Sequence, residues 1–191
     1  MRYAEYTRKT KETEITVRIN LDGEGKVNAN TGITFLDHMM QTLGVHGCMD
    51  LRVEAKGDLK HHVMEDVAIC LGEALRQAIG DAVGIARFGH AIVPMDDALA
   101  LAAVDLVTRP YFRINLAIES RSLEDTTGED LLHFFETLAT SMKATIHIDV
   151  HYGINDHHKV EAATKALALS LRQATTIPPG KRIIPSAKGS I

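Results

Sequence analysis

The stretch HHVMEDVAICLGEALRQA at residues 61–78 returns 96 positions later as HHKVEAATKALALSLRQA at residues 157–174. Eight of the eighteen paired positions are identical, including both histidines, the glutamate and the closing Arg-Gln-Ala. Apolar side chains in residues 61–78 recur every three or four residues, which predicts an amphipathic helix. A long segment that occurs twice at a fixed distance indicates an internally duplicated chain with one such helix in each half.

The segments that precede the two long helices also match. At an offset of 95, LDHMMQTL (36–43) aligns with LLHFFETL (131–138), and both are predicted to lie on shorter helices. Alternation of apolar and polar residues predicts a β-hairpin over 13–30 and a strand over 49–58. In the second half, strands are predicted in ALALAAVDLV (98–107), YFRINLAIE (111–119) and ATIHIDVHYG (144–153).

Two β-β-α-β-α units predict a two-layer α/β (α+β) sandwich, with one mostly antiparallel sheet covered on one face by helices. We expect one catalytic domain over residues 1–191, built from similar halves of about 1–90 and 91–180. Residues 176–191 contain too much proline and glycine to continue the last helix, so we expect an exposed, extended tail.

The composition is that of an ordinary globular protein, with 45% apolar and 24% charged residues among 191. A net charge of −4 gives no basic field for nucleic acid, and no apolar run reaches the length of a membrane span. The charged N-terminus lacks a signal-peptide core, so we expect a cytoplasmic protein. Cys48 and Cys70 lack the spacing of metal ligands and are predicted to be reduced, buried thiols.

The paired histidines have the spacing of metal ligands. Residues i and i+4 of a helix lie about 6 Å apart on one face, so His61 and Glu65 can bind one ion. His62 is rotated by about 100° and points elsewhere. The repeat places His157, His158 and Glu161 in the same relation.

His38 and His133, at matching places on the shorter helices, supply further ligands. The two predicted ligand sets are His61, Glu65, His133 and His158 for one ion, and His62, His157, Glu161 and His38 for the other. Three imidazoles and one carboxylate suit manganese, iron or zinc better than magnesium or calcium. The alternatives are that these histidines belong to the core or make helix-surface contacts. His46 lies on the same predicted helix face as His38, and two roles are consistent with this place: contact with a bound ligand, or capping of the helix end.

A few basic residues have the chemistry of an oxyanion site. Arg87 and Arg109 are predicted at element ends, and Ser186 and Lys188 lie in the tail motif PSAKG. An arginine fork, a lysine and a glycine-rich turn are groups that bind phosphate. Each of these residues taken alone is equally consistent with a solvated surface charge, and the chain contains no Walker loop or dinucleotide fingerprint.

The chain resembles the imidazoleglycerol-phosphate dehydratase family over nearly its whole length. The motifs that carry the resemblance are, in order, TKETEI, NLDGEG, TGITFLDHM, HHVMED, GIARFG, PMDDALA, HYGINDHHKVEAATKALALSLRQA and PSAKG. The resemblance implies a ribosomal-protein-like fold and a homo-oligomer of twenty-four subunits, with two manganese ions per active site held between neighbouring chains. Iron or zinc are alternatives to manganese. The chain departs from the family pattern in the short segment before His61 and at Thr42.

The resemblance also implies a reaction: loss of water from D-erythro-imidazole glycerol phosphate to give imidazole acetol phosphate, in histidine biosynthesis. The substrate has no carbonyl beside the reacting carbon, so the imidazole ring must accept the electrons, and a dinuclear metal site would stabilise the imidazolate. The motif TKETEI identifies Glu12 as a candidate proton carrier or hydroxyl anchor.

The predicted residues fall into three overlapping sets. The catalytic candidates are Glu12, Glu65 and Glu161, and the metal ligands are His38, His61, His62, Glu65, His133, His157, His158 and Glu161. The substrate-binding candidates include Glu12 and all of the metal ligands except His133. The further substrate-binding candidates are His46, Arg87, Arg109, Lys165, Ser186 and Lys188. Lys165, four residues after Glu161, is alternatively an ordinary surface charge.

Two other functions are consistent with the residues alone. A dinuclear hydrolase would release inorganic phosphate or an amine, whereas the dehydratase leaves the phosphate attached. A structural shell that buffers metal would bind ions and have no affinity for a phosphate ester.

Overall fold

The computed structural model describes residues 2–180 and 183–188, and its element order repeats as β-β-β-α-β-α. The first half comprises β1 (Tyr3–Lys9), β2 (Thr13–Asn20), β3 (Val27–Asn30), α1 (Thr34–Gly47), β4 (Asp50–Gly57) and α2 (Lys60–Ile79). The second comprises β5 (Phe88–Met95), β6 (Ala98–Asp105), β7 (Tyr111–Asn115), α3 (Gly128–Met142), β10 (Thr145–Tyr152) and α4 (Asp156–Thr175). The short strands β8 (Ser122–Leu123) and β9 (Thr126–Thr127) pair before α3.

Each half contributes its own four-stranded sheet, in the order β1-β2-β4-β3 and β5-β6-β10-β7. In each sheet two pairings are antiparallel and the last, β3 with β4 or β7 with β10, is parallel. The predicted duplicated, mostly antiparallel α/β sandwich is therefore confirmed, but the strands form two sheets instead of one.

The predicted hairpin over residues 13–30 was wrong in its pairing. Both β2 and β3 are strands, but each pairs with β4, which lies between them. The strands β1 and β5 were missed. They are edge strands with several exposed positions, such as Ile92 at 60%, and β5 interrupts its pattern with Pro94.

The helices lie between the two sheets. In β2, Ile15, Val17 and Ile19 all point to one face because side chains alternate along a strand, and α2 covers that face. In the second half, α4 covers β5 and β6. Helix α1 packs on α4, and α3 packs on α2, so each short helix contacts the long helix of the other half.

Close packing of α4 on β5 depends on Gly89. A Cβ at this position would lie 1.9 Å from the Ser170 carbonyl oxygen, so no other residue fits without moving the helix. The tail has no helix or strand in residues 176–180 and 183–188, and Ile184 to Ser186 are half-buried, less exposed than predicted. No helix within the described ranges has both the length and the apolar character to cross a bilayer.

Candidate active site

Both histidine pairs lie in the first turn of a long helix. His61 and His62 follow Lys60, the first residue of α2. In α4 the N-cap residue Asn155 accepts a hydrogen bond from the His157 backbone N–H at 2.8 Å. This cap stabilises the first turn of α4, whereas Leu59 at the start of α2 supplies no side-chain cap.

The first cluster, which we name group A, consists of His38, His157 and Glu161. One ligand atom from each residue lies within 4.8 Å of the other two. The Nε2 atoms of His38 and His157 are both 3.3 Å from Oε2 of Glu161. Group A lies in an open cleft of about 800 Å³, which Phe35 also lines.

The second cluster, group B, consists of His61, Glu65 and His133, again with ligand atoms within 4.8 Å of one another. His133 Nε2 is 3.4 Å from Glu65 Oε1. The rings of His61 and His133 stack with centroids 5.5 Å apart and planes inclined by 16°. Two imidazoles and a carboxylate therefore converge at each long helix.

Each group combines a long helix of one half with the short helix of the other half. The structure brings together three of the four residues in each predicted ligand set. The fourth residues, His158 and His62, are not members of these groups, although their rings lie 6.1 Å and 6.0 Å from those of His157 and His61. His62 is near Asp58 and Glu12, and His158 is near Asp96 and Asp97.

A carboxylate contacts the Nδ1 atom of each paired histidine. His61 Nδ1 is 2.7 Å from Asp130, and His157 Nδ1 is 3.0 Å from Glu124. Such a contact fixes the ring and favours a proton on Nδ1, which leaves Nε2 as the free donor to an ion. Asp130 itself accepts a hydrogen bond from the Thr127 hydroxyl at 2.8 Å.

The two histidines outside the groups have the same kind of partner. His62 Nδ1 lies 2.8 Å from Asp58, and His158 Nδ1 lies 2.5 Å from Asp97. These hydrogen bonds raise the pKa of His62 and of His158 above the ordinary value. Asp97 is fixed in turn, since it accepts the backbone N–H groups of Ile154 and Asn155.

The prediction from sequence missed these partner carboxylates. Asp58 could have been found, because it lies four residues before His62 in sequence. Asp130 is three residues before His133, but its partner His61 is 69 residues away. Asp97 and Glu124 come from distant loops, so spacing along the chain gives no signal for them.

Lys165 contacts group A directly. Its Nζ lies 2.8 Å from Glu161 Oε1. Burial raises the pKa of Glu161, but the hydrogen bonds from Lys165 and His38 outweigh it, and the pKa falls below the ordinary value. His46 is half-buried on α1, and burial together with the Lys165 charge lowers its pKa. The structure thus places Lys165 beside a candidate ligand and apart from the other basic residues.

Those other basic residues line a separate cleft of about 390 Å³. Its wall contains Arg87, Arg109, Ser186 and Lys188. The Arg87 guanidinium is held by Asp105 at 2.7 Å and by the Pro185 carbonyl oxygen at 2.9 Å, which ties the tail to the body of the second half. The four residues predicted to bind an oxyanion are therefore neighbours.

Glu12 lies in the turn between β1 and β2 and is exposed. Its Oε2 atom is 3.8 Å from His62 Nδ1. The structure thus places Glu12 beside one of the paired histidines, and Glu12 is not a member of group A or group B.

Comparison with known proteins decides the family. The family model described as imidazoleglycerol-phosphate dehydratase matches residues 31–171, which contain both groups and all four partner carboxylates. The chain belongs to the imidazoleglycerol-phosphate dehydratase family. Members of this family are lyases of histidine biosynthesis.

Individual members of the dehydratase family match over almost the whole chain. The enzyme of Methanothermobacter thermautotrophicus is 50% identical, and the alignment covers 100% of this chain and 98% of that protein. The Corynebacterium glutamicum enzyme is 47% identical over 97% of this chain and 95% of its own.

Solved dehydratase structures share the fold. The Staphylococcus aureus enzyme superposes with a TM-score of 0.85 at 32% identity, covering 92% of this chain and 99% of that one. The Pyrococcus furiosus enzyme, solved in complex with (S)-C348, superposes with a TM-score of 0.84 at 40% identity. That alignment covers 97% of this chain and 100% of the other.

Proposed function

We propose that this chain dehydrates imidazole glycerol phosphate to imidazole acetol phosphate, in the cytoplasm, with two metal ions at an active site completed by neighbouring subunits. Membership of the dehydratase family supports the reaction. The observation that carries the metal proposal is the paired arrangement of groups A and B, each with two imidazoles and one carboxylate within 4.8 Å.

The donor atoms of both groups fit a transition metal. Imidazole nitrogen combined with one carboxylate favours manganese, iron or zinc over the hard ions that prefer all-oxygen shells. The Nδ1 contacts of His61 and His157 with Asp130 and Glu124 orient Nε2 for metal binding. We propose manganese at both groups, with iron or zinc as alternatives.

His62 and His158 would complete the two ligand sets from another subunit. Both are pre-oriented by a carboxylate, as the ligands within the groups are, yet they lie apart from groups A and B of their own chain. An assembly in which one helix end serves two ions explains this arrangement. We therefore propose a homo-oligomer, with the twenty-four subunits that the family resemblance implies.

The chain would hold the substrate by its imidazole ring at one end and by its phosphate at the other. When bound, the ions would supply Lewis-acid stabilisation of negative charge on the imidazole ring. Arg87, Arg109, Ser186 and Lys188 would bind the phosphate, since they line one cleft and carry positive charge and hydrogen-bond donors. Glu12 would carry the proton or anchor the hydroxyl, because Glu65 and Glu161 are committed to the groups.

The decisive experiment is His62→Ala. We expect turnover to be abolished, metal content to fall and the particle to shift to smaller assemblies, as followed by a dehydratase assay, metal analysis and mass in solution. His151→Ala is the matched control, because His151 lies outside both groups. Full activity of His62→Ala with unchanged metal content would refute the ligand assignment. Release of inorganic phosphate in place of the ketone product would indicate the hydrolase.

Arg109→Ala tests the phosphate cleft. We expect KM for the phosphate ester to rise by about tenfold or more, because a charge-assisted contact is lost, while the metal content stays unchanged. A loss of metal with little change in KM would contradict this role.

A further inference from the structure

Asp66 is a buried carboxylate with a place in neither metal group. It follows Glu65 on α2, but its side chain points toward the first two strands, where Arg8 Nε donates a hydrogen bond to Oδ1 at 2.7 Å. The Thr13 hydroxyl donates to Oδ2. The Asp66 side chain is only 10% exposed, so its oxygens depend on these two partners in place of water for hydrogen bonds.

Thr13 also links Asp66 to the turn that bears Glu12, because it contacts Thr10 in that turn. The hydroxyls of Thr10 and Thr13 lie 3.1 Å apart, and the Thr10 hydroxyl oxygen accepts the backbone N–H groups of Glu12 at 3.0 Å and Thr13 at 2.9 Å. A hydroxyl has one proton. Because Thr13 donates its proton to Asp66, the Thr10 hydroxyl must donate to Thr13, and every hydrogen bond in the network has a fixed direction.

The other side of the same turn is tied to His62. The Glu12 carbonyl oxygen accepts the Asp58 backbone N–H at 3.1 Å. The Asp58 carboxylate in turn contacts His62 Nδ1 at 2.8 Å. The backbone of Glu12 is thus held on one side by Asp66 through two threonines, and on the other side by the residue that orients His62.

We infer that Asp66 is a positioning residue that acts through Thr13 and Thr10 to hold Glu12 beside His62. This inference rests on the proposed role of Glu12 in proton transfer or hydroxyl binding. The Glu12 side chain is 60% exposed, and its ion pair with His62 Nδ1 is long at 3.8 Å, so its location depends mainly on its backbone. A displacement of about 1 Å at a reacting group can cost on the order of a hundredfold in rate.

Thr13→Val is the sharpest test, because valine keeps the shape of threonine and removes the hydroxyl. We expect kcat to fall by about tenfold or more, with metal content unchanged and KM little changed. Thr13→Ser, which keeps the hydroxyl, should restore most of kcat. If Thr13→Val does not assemble, Thr10→Val tests the same connection at a less buried position and leaves the contact between Thr13 and Asp66 intact.

A double-mutant cycle with Glu12→Gln separates positioning from stability. If Thr13 acts through Glu12, Thr13→Val should have little further effect on kcat once Glu12 is replaced. An equal loss in both backgrounds, or an unchanged kcat in Thr13→Val, would overturn the positioning role and leave the proposed function standing. Full activity of Glu12→Gln would overturn the proposed role of Glu12 and the inference together.

Discussion

The N-terminal turns of α2 and α4 are copies of one another that anchor different loops. Gly57 and Gly153 precede them at matching positions, and both turns carry the paired histidines and a glutamate. Two of the differences between them concern the loops. Val63 in α2 corresponds to Lys159 in α4, and Asp66 corresponds to Ala162.

These differences decide which loop each helix holds. In α2, Asp66 holds the turn between β1 and β2. In α4, the Lys159 ammonium donates to the Ala117 carbonyl oxygen at 2.8 Å and to Asp156 at 2.9 Å, and Asp156 also accepts from Ser120. Duplication has therefore preserved the ligand geometry, while each half has acquired its own polar anchor for a loop near the site.

The largest expected effect tests whether groups A and B are equivalent. His38→Ala removes a ligand from group A, and His133→Ala removes its counterpart from group B. We expect each variant to lose turnover by at least about a hundredfold and to lose about one ion per chain, since ligand loss weakens metal binding. Metal analysis and assays of both proteins provide the check. If only one variant loses metal, the two groups are not equivalent.

The next largest effect is expected at Lys159, which holds the loop before α3 in the second half. Lys159 is 2% exposed, so Lys159→Met should cost about 3 kcal/mol by leaving Asp156 without its buried cation. Thermal unfolding measures the loss. Lys26→Met is the matched control, because Lys26 forms an ion pair with Glu24 at the surface and should leave Tm unchanged. A Tm equal to wild type in both variants would show that the Lys159 contacts contribute nothing.

Substitution of Gly57, before α2, and of Gly153, before α4, should affect kcat to different extents. A Cβ at Gly57 would lie 2.6 Å from Val63 and 3.0 Å from Thr13, and one at Gly153 would lie 2.8 Å from Lys159. We expect both alanine variants to lose about 1–3 kcal/mol through overpacking. Gly57→Ala should show the larger fall in kcat, because it presses on the turn that bears Glu12. Equal kcat values in the two variants would contradict that distinction.

The smallest effect compares Cys70 with Ala166, its counterpart in α4. Both side chains are fully buried. Cys70→Ala removes a single sulfur atom, so the free energy of unfolding should fall by only about 1 kcal/mol. Burial raises the pKa of Cys70 to about 12, so the native thiol should resist iodoacetamide at pH 8 while half-buried Cys48 reacts. Rapid labelling of native Cys70 would contradict its burial.

The same thiol gives a pH dependence with a defined sign. The pKa of Cys70 is raised in the folded protein, so its stabilising effect is complete below the ordinary value of 9.0 and is lost as pH rises toward 12. Thermal unfolding between these pH values should therefore show a steeper loss of stability in the wild type than in Cys70→Ala.

The repeat made the helices and the two groups predictable. A spacing of four residues places His61 and Glu65 on one face in any α-helix, and the repeat imposes the same relation on His157 and Glu161. The two long helices were accordingly predicted close to their observed bounds, and the segments assigned to the two short helices do lie on α1 and α3. The strands were harder, because β3 and β7 pair in parallel with strands that come after a helix, and local alternation does not reveal the pairing partner.

The sequence by itself determined the helical periodicity, the duplication and the identity of the donor atoms, because these depend on residue type and on spacing within one element. Only the tertiary structure decided that Asp97 and Glu124 orient imidazoles, that Asp66 holds the turn of Glu12, and that Ser186 and Lys188 of the tail share a cleft with Arg87. Those contacts join residues that are far apart in sequence. Their partners are chosen by how the sheets and helices pack, which no spacing along the chain encodes.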